Sequence, residues 1–104
     1  MTTSQEWAVT AEARAPEFIE IDPRVFDDFL DALYEYQAAG GGYGGGWAWT
    51  ITIEAATPAE AAARAMKILD EAAAQSGVPV WPYVELQVLD YDELDRRLAL
   101  PADR

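Results

Sequence analysis

Residues 39–56 read AGGGYGGGWAWTITIEAA, and the reading of this stretch decides how the rest of the chain is arranged. Six glycines around Tyr43 open directly into an alternating run, with Trp47, Trp49, Ile51 and Ile53 on one side and Ala48, Thr50, Thr52 and Glu54 on the other. A period of two marks a strand with one covered face, and aromatic and β-branched residues are the strongest strand formers. The run therefore predicts a central strand whose Trp and Ile side chains are buried. The glycines predict a helix stop followed by a mobile hairpin. The competing reading is a phosphate-binding loop. It lacks the Lys-Ser/Thr that reaches phosphate and magnesium, and it precedes a strand instead of joining a strand to a helix.

Upstream, Trp7, Val9, Ala11 and Ala13 alternate with Ala8, Thr10, Glu12 and Arg14, which predicts a first strand over 6–14. Ala15-Pro16 ends it, since proline supplies no ladder donor. Phe18, Ile19 and Ile21 form a short apolar approach to Asp22-Pro23, a strong helix start. Phe26, Phe29, Leu30 and Leu33 then recur at helical spacing, which predicts a helix over 23–38 stopped at Gly40. Its outer side carries Asp27, Asp31 and Glu35, four apart, as an acidic ridge of mutually repelling charges.

Downstream, Thr57-Pro58-Ala59-Glu60 is a capping box with proline at the first helical position. It predicts a second helix over 58–76, with Ala62, Ala65, Met66, Leu69, Ala72 and Ala73 as the buried stripe and Gly77 and Pro79 as terminators. A last strand over 81–90 turns Val84, Leu86 and Val88 inward and Tyr83, Glu85, Gln87 and Leu89 outward. Asp90-Tyr91-Asp92-Glu93 opens a short terminal helix through Leu98. A short edge strand near 41–44, turning back through Gly44 to Gly46, completes a βαββαβ order. The expected fold is a ferredoxin-like α+β sandwich, a four-stranded antiparallel sheet with two helices on one face and a short C-terminal helix. It occupies one domain, residues 1–104, with 1–5 and 101–104 frayed.

The closing stretch, GVPVWPYVELQVLDYDELDRRLALP at 77–101, follows the capped alanine-rich helix and the strand written TITIEA. Together these resemble small uncharacterised actinobacterial proteins and regulator-associated domains of ferredoxin-like outline. In such chains the segment corresponding to Glu93, Leu94, Asp95 and Arg96 sometimes leads on to a helix-turn-helix; the sequence ends at Arg104, so no DNA-reading module is expected. The resemblance carries no catalytic residue across. The abundance of alanine and of Arg over Lys points the same way, to a high-GC genome.

Charge narrows the function classes. Nineteen acidic residues against seven basic give a net charge of −12, which repels nucleic-acid phosphate. An RNA-binding sheet needs aromatics and cations on its open face, where Tyr83 is expected to stand among glutamates. Cysteine and histidine are absent, the one lysine, Lys67, is expected on an exposed helix face, and Ser4 and Ser76 are peripheral. A nucleophile with an adjacent base has nothing to be built from, so no enzyme activity, catalytic residue or cofactor is expected. Glu12, Glu54 and Glu85 could gather on the open sheet face around a hard cation, but solvation is the simpler expectation, and no metal site is assigned. No stretch has the length of a membrane span or the layout of a signal peptide, which predicts a cytoplasmic protein.

What remains is interaction with protein. Trp47 and Trp81 either cover the sheet ends or stay partly exposed with Tyr43 beside the glycines, where such aromatics anchor interfaces. The expected function is a non-enzymatic acidic protein-interaction module, self-associating as a homodimer through the sheet or docking a basic partner. The candidate contacts are Tyr43, Trp47, Trp81, Asp27, Asp31 and Glu35. An acidic decoy or inhibitor of a nucleic-acid-binding protein, of the anti-defence type, is one alternative, and a small-ligand sensor is another.

Overall fold

The computed structural model describes residues 4–93 and Arg96. It is an α+β fold built on an open four-stranded antiparallel sheet. The order is β1 (Gln5–Arg14), α1 (Arg24–Ala32), a 3-10 turn (Tyr34–Tyr36), β2 (Ala39–Tyr43), β3 (Gly46–Ala55), α2 (Pro58–Ser76) and β4 (Tyr83–Asp90). The strands lie in the order β2-β3-β1-β4, so β1 and β3 are central and β2 and β4 form the two edges. Among the described residues no helix is long and apolar enough to cross a membrane.

The alternating stretches behave as their period dictates. Trp47, Trp49, Ile51 and Ile53 are all buried, and β1 pairs with β3 so that Val9 faces Ile51 and Ala11 faces Trp49. Phe26, Phe29 and Leu33 from the first helical segment and Ala61, Ala65, Leu69 and Ala72 from α2 close over this face in one core. Phe29 sits between two indoles, 5.3 Å from the Trp47 ring and 5.2 Å from that of Trp49. The other face carries Thr10 and Thr50, whose hydroxyls share a 2.8 Å hydrogen bond. Gln5 pairs with Ala55, so β1 begins inside the stretch expected to fray.

α2 spans the predicted residues, because both of its ends are written locally. The Thr57 hydroxyl accepts from Glu60 N at 3.2 Å, and Gly77 takes the left-handed conformation that ends it. Its buried stripe runs through Ala61 where Ala62 was expected, and Met66 is only half-buried.

α1 is shorter than predicted. It ends at Ala32, passes through the 3-10 turn, and reverses at Gln37, a non-glycine residue at φ 55°, where a stop at Gly40 was expected. β2 starts at Ala39, so a helix to residue 38 would leave no residues for the reversal. Asp31, in a last turn with no basic residue, also opposes the helix dipole at that end. The buried stripe narrows to Phe26, Phe29 and Leu33, while Leu30 is 40% exposed.

β4 corrects the expected faces. Glu12 pairs with Glu85 but Ala13 pairs with Tyr83, so Val84 is an extra residue in a β-bulge. The bulge turns Tyr83 onto the core side, where it meets the Trp47 ring edge-on at 5.5 Å and its hydroxyl donates to Asp70 at 2.7 Å. Burial first, and then the Asp70 carboxylate, hold the Tyr83 phenol well above its usual range. Val84, expected inside, is 47% exposed, and Leu86 is 38% exposed at the sheet edge. Asp90 then accepts from Glu93 N at 2.6 Å and caps a helical turn at 91–93. The Tyr91 and Thr52 hydroxyls share a hydrogen bond, which brings this turn over the open face beside buried Ala8. The rest of the expected terminal helix through Leu98, Arg96 apart, lies outside the described residues.

The glycine segment forms the expected edge strand and hairpin turn, with the strand over Ala39–Tyr43 where 41–44 was expected. Tyr43 pairs with Gly46 across the two-residue loop Gly44-Gly45. Glycine is required where other elements touch the backbone. A Cβ on Gly42 would stand 2.5 Å from Phe26 Cδ1, and one on Gly44 would overlap the Ile19 carbonyl oxygen. Gly41 faces open space. Gly44→Ala should therefore destabilise the fold by about 1–3 kcal/mol through overpacking against backbone. Gly41→Ala should be neutral or stabilising by up to about 1 kcal/mol. Urea unfolding of the two variants checks this ordering.

Candidate functional site

The segment 15–23 leaves β1 and crosses the end of the β2–β3 hairpin. Ala15 N donates to Gly45 O at 2.9 Å and Ile19 N donates to Gly44 O at 3.1 Å, so two glycine carbonyls hold this loop against the turn. Pro16 and Pro23 bracket it and keep it from joining β1 or α1. Asp22 closes the loop: its carboxylate accepts from Arg24 N at 3.0 Å and forms an ion pair with the Arg24 guanidinium at 2.8 Å.

Between this loop and β2 lies a cleft of about 710 Å³, walled by Phe18, Ile21, Pro23, Phe26 and Tyr43, with Glu20 and Asp22 at its margin. That is within the usual size range of ligand pockets. Phe18 is 68% exposed and Tyr43 65%, with ring centroids 6.3 Å apart. Two neighbouring aromatics left in water are more informative than scattered apolar residues.

The electrostatics of the cleft are one-sided. Side-chain hydrogen bonding from Arg24 holds the Asp22 carboxyl below the usual range, and Asp22 raises Arg24 in turn, so this cation is already matched. The same holds for the other described arginines: Arg14 pairs with Glu12, Arg64 with Glu60 and Arg96 with Glu93. Residues 15–45, which form the loop, α1, the 3-10 turn and β2, contain seven acidic residues and one basic. That net −6 is half of the charge of the whole chain. The arrangement suits a cationic group, which could rest against the faces of Phe18 and Tyr43 with carboxylates close by.

The predicted contact residues divide. Tyr43 stands exposed at the cleft, beside the glycines as expected. Trp47 and Trp81 do not join it, being 5% and 8% exposed. Trp47 points to the core face of β3 and is enclosed by Phe29 and Tyr83, and Trp81 packs in the core with Val78 ahead of β4. Asp27 and Asp31 are exposed on α1. Glu35 falls on the 3-10 turn and borders a separate recess with Glu6, Glu54 and Arg64, so the expected ridge is broken. The expected carboxylate group on the open face is also dispersed. Glu12 lies opposite Glu85, but Glu54 lies opposite Glu6 at the far end of the sheet. No group of three or more potential metal ligands occurs among the described residues.

Sequence reasoning passed over Phe18 and Glu20. The signal was present, because Phe-Ile-Glu-Ile between two prolines is too short for a core strand and yet apolar. The same side chains separate fold from surface. Trp47→Ala should cost about 3–5 kcal/mol of stability as a buried aromatic truncation. Tyr43→Ala should change stability by no more than about 0.5 kcal/mol. Thermal and urea unfolding of the pair read this directly; a large loss at Tyr43 would make it a structural residue and remove it from the site.

Compared with protein-family models, curated proteins and solved structures, the chain matches none of them.

Proposed function

We propose that the protein is a non-enzymatic acidic interaction module that docks a basic protein through the face made by the 15–23 loop, α1 and β2. The observation that carries this reading is that the exposed Phe18–Tyr43 pair belongs to a segment, residues 15–45, that holds half of the net negative charge. Exposed aromatics supply contact area at an interface, and the carboxylates select the sign of the partner and speed encounter. Each described arginine is matched by an acid, so the surplus carboxylates stay available. The architecture is taken as ferredoxin-like, a reading supported by the βαββαβ order and the β2-β3-β1-β4 sheet. An acidic decoy of a nucleic-acid-binding protein is the form this function takes if the basic partner normally binds phosphate.

Host proteins retained on the immobilised chain at low salt should be basic, and most should elute as ionic strength rises, since exposed charges are screened beyond about 10 Å at 0.1 M salt. Replacing Glu20, Asp27 and Asp31 together by Lys should release the retained set. If the same proteins stay bound to that variant, the acidic face is not the docking surface.

Self-association is a second reading, favoured by Val80, Val84 and Leu86 lying exposed before and along β4. The charge of −12 on each copy opposes it. Light scattering that gives a dimer mass in moderate salt would support it, and a monomer mass at every concentration would remove it.

A further inference from the structure

We infer that the free edge of β2 accepts an extended, basic segment of the partner as a fifth strand, with a cationic side chain of that segment laid against the exposed Phe18 and Tyr43 rings. This rests on the docking function proposed above and names how the partner is held.

Tyr43 and Gly46 close a two-residue hairpin loop. In such a hairpin the closing pair exchanges both of its backbone hydrogen bonds, and the pairs alternate from there. Gly41 and Ala39 are then bonded to β3, while Gly40 and Gly42 direct their N–H and C=O groups away from the sheet. No loop or helix backbone group among the described residues takes them. Ordered sheets blunt such edges with proline, lysine, a bulge or an inward charge. β4, the other edge, has its bulge at Val84 and Pro82 just ahead of it. β2 reads Ala-Gly-Gly-Gly-Tyr and carries none of these. Its three glycines also put no side chain in the way of an incoming backbone.

The flanks define what the added strand must look like. Alternate side chains of a strand point to opposite faces. On the helix side they would meet the margin of Phe26 and, one turn along α1, the exposed Leu30, which favours apolar residues. Near the turn the strand would pass the cleft, where the Phe18 and Tyr43 faces and Glu20 favour Lys or Arg. Asp27 and Asp31 are exposed on the same helix as Phe26 and Leu30, so the helix that flanks the edge is acidic. The occupant is therefore a segment that alternates apolar and basic residues. A second copy of this chain is the less suited occupant, because it would bring two such acidic edges together.

The test uses the full chain and a blocked nonapeptide of alternating Lys and Val, with two analogues N-methylated on the Lys or on the Val backbone nitrogens. Strand addition predicts that one analogue binds like the parent and the other binds about tenfold or more weakly, because only alternate N–H groups face β2. Tyr43→Ala and Phe18→Ala should each weaken the parent about threefold, in line with one cation–π contact. If both analogues bind like the parent, the segment is held by charge alone; strand addition is then overturned while the docking function stands. If the parent itself does not bind at low salt, the docking function falls as well. A dimer mass without peptide, lost on peptide addition, would overturn the assignment of occupant in favour of a second copy.

Discussion

The contact on which most of this structure depends is an absence, the missing Cβ at Gly42 and Gly44. Because Gly42 has no side chain, the Phe26 ring rests directly against the β2 backbone, and this seats α1 over the glycine edge of the sheet. With Phe26 fixed there, Phe29 falls between Trp47 and Trp49 one helical step further on. Aromatic pairs of this kind add about 0.5–1.5 kcal/mol each beyond the burial of their area. Gly44 does the same for the loop, letting the Ile19 backbone pass close enough to bond the turn. A helix and a loop are thus held to one short strand by backbone proximity, and the cleft is the space left between them.

What could be read ahead of the structure was whatever is encoded within a few residues. β1 and β3 declare themselves by strict alternation, and α2 by a cap, a proline and a glycine that act on their own neighbours. The misplaced features depend on partners distant in sequence. Nothing near Tyr83 signals that a bulge at Val84 will turn it inward; that follows from what lies across the strand, at Trp47 and Asp70. The early end of α1 follows from where β2 must begin. The candidate site was legible at Tyr43 and in the acidic count, but not in Phe18, whose exposure depends on the loop having been docked by Gly44 and Gly45, far along the sequence. Trp47 was legible in both directions, as core by its parity and as surface by its place beside the glycines. Parity prevailed, since a buried indole contributes far more than an exposed one.

Filling the core with aromatics has a cost. Among the described residues the Trp49 Nε1 is buried without a hydrogen-bond partner, while the Trp7 Nε1 donates to Ala55 O at 2.9 Å. An unmet buried donor costs about 1–3 kcal/mol, which the packing of that indole against Phe29 and the sheet must offset. The charge distribution imposes a second cost. Surplus carboxylates repel one another and destabilise a compact state, and here they are concentrated in the part of the chain with the fewest cations.

These costs meet at α1, whose Phe29 packs on Trp49 and whose aspartates carry part of the surplus charge, and the glycines link them. A strand made of glycine packs tightly only on the side where another element supplies the atoms it lacks. On the inner side Phe26 does so. On the outer side, among the described residues, no element does, and the backbone is left with the hydrogen-bonding pattern of a sheet and no side chains to cover it. The requirement that lets α1 sit close to β2 is therefore also what leaves the far edge of β2 open. An extended chain would supply to that edge what Phe26 supplies to the inner side, and the acids around it would favour a chain that brings the opposite charge.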